Sequence, residues 1–277
     1  MRVLAVLAAT VTLAGCASTD SADEGSPGDR AVVVASFYPL AWAADRLSGK
    51  STDVVNLTPP GVEPHDIELT PTDVETIDDA ELVIYVGGGF QPAVEDAVAS
   101  RDGRSLDVLG GESDPHIWLD PVRFAQVVER IAGALGGGGS GLRVVRELRG
   151  LDREYRRGLA NCQSRVLVTT HAAFGRLAAR YGLTQLSLAG RTPESEPSPR
   201  DLERLIAEVR ASGATTVFAE PLVSSRVAET VAREAGVEVE TLDPIEGLSQ
   251  ERLDQGEDYL SVMRSNLAAV RKALGCR

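Results

Sequence analysis

The chain has 277 residues and a formal net charge of −13 at pH 7. Proteins that bind nucleic acid neutralise phosphates with clustered Lys and Arg, so this acidic balance argues against that class. An acidic surface is compatible with capture of a cation, but it also keeps proteins soluble and does not by itself establish a function.

The first fifteen residues have the features of an export signal. Arg2 precedes an apolar run that ends at Gly15 and is too short to span a membrane. The following Leu-Ala-Gly-Cys ends at Cys16 and resembles the lipobox of bacterial lipoproteins; the alternative is an ordinary cleaved signal with an incidental cysteine. We therefore expect a signal peptide at 1–15, a lipid anchor on Cys16 that holds the protein to the cell membrane outside the cytoplasm, and a flexible tether at 16–30.

The chain has three cysteines, Cys16, Cys162 and Cys276. If Cys16 carries lipid, an even pair remains in an oxidising compartment, and a disulfide between Cys162 and Cys276 is the economical interpretation. Two free buried thiols are the alternative. A cysteine-based zinc site is a poorer one, because there is no C-x-x-C and the two residues lie far apart.

Short β-branched runs alternate with amphipathic runs along the rest of the chain, which predicts an α/β protein with parallel sheets flanked by helices. We expect an N-terminal lobe at 31–138 and a C-terminal lobe at 161–277, joined by one long rigid helix at 139–160. Seven strands are predicted, at Ala31–Phe37, Asp53–Thr58, Glu81–Val86, Arg165–Thr170, Thr184–Leu188, Ala214–Ala219 and Glu238–Leu242.

All three histidines lie in predicted loops or directly after predicted strands. His65 lies just past a strand, His171 directly follows one, and His116 lies in a loop flanked by prolines. Asp243 also follows a strand. Ligands bind beyond the carboxyl ends of strands in open α/β sheets, so facing lobes would bring these residues together, and three imidazoles with one carboxylate suit Zn²⁺. Taken singly, a histidine in a loop is more often a surface or capping residue than a ligand, and an aspartate before proline, such as Asp243, is often a turn former.

The segments around these residues resemble the metal-specific solute-binding proteins of ABC importers, the zinc and manganese uptake (ZnuA/TroA-like) family. The likeness covers nearly all of Val32–Cys276. Several separate motifs occur in the family's order: Ser36–Leu40, Pro64–Pro71, Gly88–Pro92, Asp114–Pro121, Thr170–Phe174, Glu194–Pro199 and Thr241–Gly247.

The resemblance implies two lobes joined by a long helix, with one metal ion buried between them and bound by His65, His116, His171 and Asp243. Histidine rather than glutamate at 171 goes with zinc, and manganese is the alternative. The resemblance also implies a monomer without enzymatic activity that delivers its ion to a cognate ABC permease. The long His-rich loop of many zinc members is missing, since 100–114 is short and has no histidine.

Other polar residues are candidates for supporting roles. Asp66, Asp120 and Glu220 could each accept a hydrogen bond from the far ring nitrogen of a ligand histidine and fix its tautomer, although a solvated loop carboxylate is the plainer interpretation. Glu194 and Glu196 could contact the permease. Trp118 and Phe174 are expected to pack in the core beside the ligands.

Three rival functions remain at this point. A secreted zinc hydrolase would need an open coordination position and a general base, whereas four protein ligands close the site and no H-E-x-x-H is present. An adhesin would affect attachment without affecting growth under metal limitation. Capture of manganese or iron by the same fold is the nearest rival.

Overall fold

The structure of the protein, a computed structural model, describes residues 30–137, 140–191 and 198–277. The expected signal peptide, Cys16 and almost all of the tether lie outside the described residues, as do Glu194 and Glu196. No helix in the described ranges has the length and apolar character needed to cross a membrane.

The first half of the chain forms a four-stranded sheet in the order β2-β1-β3-β4. All neighbouring strands are parallel, and helices supply the crossovers between them. The elements, in chain order, are β1 Ala31–Ala35, α1 Tyr38–Leu47, β2 Thr52–Asn56, α2 Pro71–Asp79, β3 Leu82–Tyr85, α3 Pro92–Ser100, β4 Arg104–Asp107 and α4 Pro121–Ala134, with a short 3₁₀ helix at Ile117–Leu119.

The second half forms another parallel four-stranded sheet with the equivalent order, β6-β5-β7-β8. The two halves therefore repeat one architecture, and this confirms the predicted fold class. The elements are β5 Val166–Thr169, a 3₁₀ helix at Ala172–Phe174, α6 Gly175–Tyr181, β6 Thr184–Ser187, α7 Pro199–Ser212, β7 Thr216–Ala219, α8 Arg226–Ala235, β8 Glu238–Thr241, α9 Gln250–Asp254 and α10 Tyr259–Ala273.

Helix α5, Ser140–Gly158, lies between the two sheets in the chain where the connecting helix was predicted. Its Val144, Leu148, Leu151 and Tyr155 are buried, as their spacing of three and four residues along one helical face requires. The hydroxyl of Tyr155 donates to the carbonyl of Met263 at 2.6 Å, so α5 is bonded to α10 as well as packed against it. The boundaries of the two lobes in the chain stay a prediction.

One apolar core runs from the first sheet through α5 into the second half. Trp118 is central to it: its indole N–H donates to the carbonyl of Pro244 at 2.6 Å, and its own carbonyl accepts from the hydroxyl of Tyr259 at 2.5 Å. Phe174 is buried in the same core, so both aromatic residues pack as predicted. The halves are thus held against each other by buried, hydrogen-bonded aromatic side chains beside the site.

Cys162 and Cys276 form a disulfide across a sequence separation of 114 residues, as the cysteine count predicted. Both cysteines pack against the core, one after α5 and the other after α10. The bond joins the beginning of the second half to its end.

Two elements were not predicted. β4 has the sequence Arg-Ser-Leu-Asp, whose single apolar residue gives no alternating pattern; pairing with β3 makes it a strand. Helix α2 has few apolar residues and buries Ile77, but Thr70 and Asp73 form a capping box at its start. The apolar residues of Glu251–Leu274 follow one helical pattern, but a turn at Gly256, which has φ 81°, divides this run into α9 and α10.

Candidate metal centre

Three histidines and one glutamate converge between the two sheets. His65, His116, His171 and Glu246 each offer one ligand atom, and these atoms all lie within 4.8 Å of one another. Each residue follows a different strand, namely β2, β4, β5 and β8 in that order. The two sheets therefore contribute two residues each, from beyond the carboxyl ends of their strands.

The four side chains lie close together, but their facing nitrogen and oxygen atoms do not form hydrogen bonds with one another. The Nε2 atoms of His65, His116 and His171 lie 3.5, 3.4 and 3.5 Å from Oε1 of Glu246. Among the described residues these three nitrogens and both Glu246 oxygens are buried and have no hydrogen-bond partner. Buried polar atoms are normally paired, so five unpaired ones aimed at a common point fit a bound cation.

His65 is carried by the loop after β2. Its backbone N–H donates to Oε1 of Glu63 at 3.1 Å, and its ring packs edge-on against Phe90 with centroids 4.5 Å apart. The start of the loop is anchored by Thr58, whose hydroxyl donates to the carbonyl of Ser36 at 2.7 Å. Phe90 closes one side of the site with an apolar face and keeps water from the imidazole.

His116 immediately precedes the 3₁₀ helix Ile117–Leu119. Oδ1 of Asp114 accepts from its backbone N–H at 3.1 Å and lies 2.9 Å from its Nδ1. A carboxylate at Nδ1 holds the proton there and turns Nε2, with its lone pair, toward Glu246. Asp114 was not among the residues predicted to support a ligand; its position two residues before His116, in Asp-Pro-His, was the available signal.

His171 also has a carboxylate beside its Nδ1, that of Glu220, which directly follows β7; the contact is an ion pair by distance, without hydrogen-bond geometry. Oε2 of Glu220 lies 2.6 Å from Nδ1 of His171, and Oε1 accepts from the backbone N–H of His171 at 3.1 Å. The hydroxyl of Thr170 also donates to Oε1. Glu220 was one of three residues predicted to accept from the far ring nitrogen of a ligand histidine, and its carboxylate lies beside Nδ1 of His171.

The other two residues proposed for that role are elsewhere. Asp66 is exposed, although it is adjacent to His65. Asp120 caps α4, where its side chain accepts from the backbone N–H groups of Val122 and Arg123, and it pairs with Arg180. A short polar side chain before a Pro-initiated helix is a typical N-cap, which accounts for Asp120.

The prediction that Asp243 faces the histidines is corrected by the structure. Its Oδ2 accepts from Nη1 of Arg252 at 2.6 Å and its Oδ1 accepts from the backbone N–H of Ile245 at 2.7 Å. The carboxylate that reaches the three rings is Glu246, three residues later. Both acids lie in the motif Asp-Pro-Ile-Glu-Gly, so strand position alone could not decide between them.

The contacts in this cluster shift the ionisation of its members. Burial alone lowers the pKa of His171, but Glu220 and Glu246 outweigh it and raise that pKa to about 10. Burial also lowers the pKa of His116, and Asp114 and Glu246 outweigh it and raise that pKa. Burial would raise the pKa of Glu246, yet the three imidazoles hold it well below its usual range. The metal-free cluster therefore attracts protons at the same atoms that a cation would occupy.

Three imidazole nitrogens and a carboxylate are a borderline-soft set typical of tetrahedral zinc sites. Two of the rings already have a carboxylate on the far nitrogen, an arrangement usual around zinc. The chemistry of the donors and their unpaired state both fit a divalent transition-metal ion.

Comparison with known proteins agrees with this description. The chain matches the family described as ZnuA, zinc-uptake complex component A, periplasmic, over residues 33–138 and 139–273. It is 31% identical over 283 residues to the zinc-binding protein AdcA of Streptococcus pyogenes serotype M1; the match covers 86% of this chain and 55% of that protein. The chain thus spans about half the length of these streptococcal relatives.

A second relative matches over nearly its whole length. The high-affinity zinc uptake system protein ZnuA of Bacillus subtilis strain 168 is 31% identical over 305 residues, covering 97% of this chain and 96% of that protein. Among solved structures, the laminin-binding protein Lmb of Streptococcus agalactiae, described as having adhesin and metal transporting activity, superposes with a TM-score of 0.80 at 30% identity, covering 88% and 99% of the two chains. This chain therefore belongs to the family of periplasmic zinc-uptake complex component A proteins.

Proposed function

We propose that the protein captures one Zn²⁺ ion outside the cytoplasmic membrane and delivers it to the permease of an ABC importer. His65, His116, His171 and Glu246 would hold the ion. The observation that carries this proposal is the convergence of their buried, unpaired donor atoms from both sheets. Each half supplies two donors, so a bound ion would bridge the halves.

Zinc is favoured over manganese by the donor set. Mn²⁺ prefers more oxygen ligands and a higher coordination number, whereas three nitrogens and one carboxylate suit a small tetrahedral ion. The intrinsic affinity order of divalent metals also places zinc above manganese. The names of the relatives AdcA and ZnuA point to the same metal.

Capture rather than catalysis is favoured by the number of ligands. A catalytic zinc ion keeps one position open for water, while four protein ligands at a buried point fill a tetrahedral shell. The family description names a component of an uptake complex, which supports a permease as the partner. Export and a lipid anchor at Cys16 would keep the protein at the membrane where that permease lies.

Elemental analysis and competition titration test the proposal. Protein purified without chelator is expected to contain close to one zinc ion per chain, to prefer zinc over manganese, and to lose that affinity on Glu246→Ala. Two or more equal tight sites, or a preference for manganese, would refute it.

Delivery and anchoring have separate tests. Deleting the gene is expected to impair growth in zinc-depleted medium, with rescue by added zinc or by the wild-type gene but not by the Glu246→Ala gene. Cys16→Ser is expected to move the protein from the membrane fraction to the soluble fraction while zinc binding persists. A mutant that stays on the membrane would exclude Cys16 as the anchor.

A further inference from the structure

The loop that carries Glu246 is fixed at Asp243 by four hydrogen bonds. The Asp243 carboxylate accepts from Arg252 at 2.6 Å and from the backbone N–H of Ile245 at 2.7 Å. Its backbone N–H donates to Oδ1 of Asn266 at 3.0 Å, and its carbonyl accepts from Nδ2 of the same side chain at 2.7 Å. Asn266 is 3% exposed, so Asp243 is bound on both its side chain and its backbone to α9 and α10.

Between Asp243 and Glu246 the backbone adopts an unfavourable conformation. Ile245 has φ 58°, the one positive value among the non-glycine residues that the structure describes. A β-branched residue disfavours this region because its Cβ crowds the backbone. The backbone N–H of Ile245 donates to the carboxylate of Asp243, so this hydrogen bond is made by the strained residue itself. Strain of this kind persists only where neighbouring groups enforce it.

The conformation has a direct consequence for the metal centre. Left-handed backbone at 245 reverses the chain, so that Ile245 enters the core while Glu246 turns its carboxylate to the three histidines. The indole of Trp118, from the first half of the chain, holds the intervening carbonyl of Pro244 at 2.6 Å. Relaxation of Ile245 to negative φ would carry the Glu246 carboxylate away from the rings.

We propose that Asp243, clamped by Arg252 and Asn266, is a positioning residue that holds Ile245 in the left-handed conformation and so presets Glu246 for zinc before the ion arrives. This inference rests on the proposed zinc capture at the histidine and glutamate cluster. It assigns Asp243 a part in metal affinity without contact with the metal. Asp243, which its position after a strand predicted to be a ligand, would thus act on the metal through Ile245 and Glu246.

The variants separate positioning from ligation and from general stability. Asp243→Ala removes the acceptor for Ile245. The pair Asp243→Asn with Arg252→Gln removes both charges but keeps an oxygen that accepts from the Ile245 N–H. Asn266→Ala keeps the Asp243 carboxylate and frees its backbone. Asp152→Ala is the matched control, since Asp152 is also buried at 9% exposure and bonded to an arginine, Arg156 at 2.9 Å, but on α5.

Zinc affinity is measured on each metal-free protein by competition with a chelator, together with its unfolding temperature. Asp243→Ala and Asn266→Ala are each expected to weaken zinc binding about 10- to 100-fold, the range found when groups that orient metal ligands are removed. The zinc affinity of the double variant Asp243→Asn with Arg252→Gln is expected to stay within about threefold of the wild-type value, because the hydrogen bond to the N–H of Ile245 survives. Asp152→Ala is expected to lower the unfolding temperature with zinc affinity unchanged.

Each contrary result is informative. If the double variant Asp243→Asn with Arg252→Gln loses as much zinc affinity as Glu246→Ala, Asp243 is a ligand and the positioning role is wrong. If Asn266→Ala binds zinc like the wild type, or if Asp152→Ala weakens zinc as much as Asp243→Ala, the clamp has no specific effect and the inference fails. A wild type that binds no zinc, or is indifferent to Glu246→Ala, would overturn the proposed function instead.

Discussion

At the scale of single residues, the metal centre is a set of carboxylate–imidazole pairs pointed at one more carboxylate. Asp114 and Glu220 hold the Nδ1 atoms of His116 and His171, which leaves both Nε2 atoms facing Glu246. Without a metal, the same geometry raises the pKa of both rings, to about 10 for His171. At the proposed site, protons would therefore compete with zinc for the same nitrogen atoms.

Zinc binding is expected to release protons even at pH 7 to 8. Below the raised pKa of His171 the imidazolium form dominates, and zinc must displace its proton. Affinity should fall by about tenfold for each proton displaced and each pH unit of acidification. Calorimetry in buffers with different ionisation enthalpies measures the release. The three-histidine site would be contradicted if the binding enthalpy did not depend on the buffer and the zinc affinity did not change between pH 8 and pH 6.

The choice of metal is expected to depend on His171. His171→Glu replaces a nitrogen donor by hard oxygens beside Glu246, which should weaken zinc more than manganese and narrow the preference without reversing it. Competition titrations of both metals on mutant and wild type measure the ratio. Val239→Ala, a small change at an exposed position of β8, serves as a control and should leave the ratio unchanged. An unaltered ratio in His171→Glu would exclude His171 as a ligand.

His65 and His171 could be placed from the sequence because each follows a predicted strand, and His116 could be placed from its proline-flanked motif and the family resemblance. The carboxylate could not, because Asp243 and Glu246 belong to the same motif and both lie past the end of β8. The difference is decided by the left-handed backbone at Ile245, a residue type that gives no signal for that conformation. Asp114 was missed for a different reason. It bonds to the backbone N–H and the ring of His116, only two positions away, and so it lies in the same loop as the residue that it orients.

At the scale of elements, the loop before His116 is bonded to the start of α6 across the two halves. Nε and Nη2 of Arg176 donate to the carbonyl of Asp114 at 3.0 and 2.7 Å, and Nη1 pairs with Glu112 at 2.6 Å. Arg191 adds a bond to the carbonyl of Ser113 at 2.8 Å. The residue that orients His116 is thus itself held by the second half of the chain.

Arg176→Ala is expected to weaken zinc binding by up to about tenfold, because Asp114 would lose the group that fixes its carbonyl and His116 would be less well oriented. Arg46→Ala is the control. Arg46 is buried to a similar degree and links α1 to α5 through Glu147 at 2.6 Å, but away from the metal centre. Competition titrations compare the two variants. Equal affinity in Arg176→Ala and the wild type would show that the inter-half bond does not support the site.

At the scale of the whole molecule, two similar halves are joined by α5 and a shared core, and a disulfide links the beginning of the second half to its end. The pattern of strands and helices was sufficient to predict this architecture, since parallel sheets require helical crossovers. The pairing of Cys162 with Cys276 could be predicted only by elimination, and spacing alone would not have given it.

The disulfide is expected to stabilise the fold with little effect on zinc affinity. Closing a loop of this length contributes roughly 4–5 kcal/mol in the chain-entropy model, and less if the native geometry is strained. The double variant Cys162→Ser with Cys276→Ser, measured by chemical denaturation of the metal-free protein and by zinc competition, checks this. Unchanged stability would mean that the bond does not constrain the unfolded chain, and a large loss of affinity would tie it to the site.

The central claim, that one zinc ion is held by three histidines and Glu246, is tested most directly by a crystal structure of the zinc-loaded protein with anomalous data at the zinc edge. A single strong peak is predicted between the two sheets, about 2.0–2.1 Å from Nε2 of His65, His116 and His171 and about 2.0–2.2 Å from a Glu246 oxygen. Asp243 should remain bonded to Arg252. A peak coordinated by Asp243, or one that lacks any of the three histidines, would contradict the account.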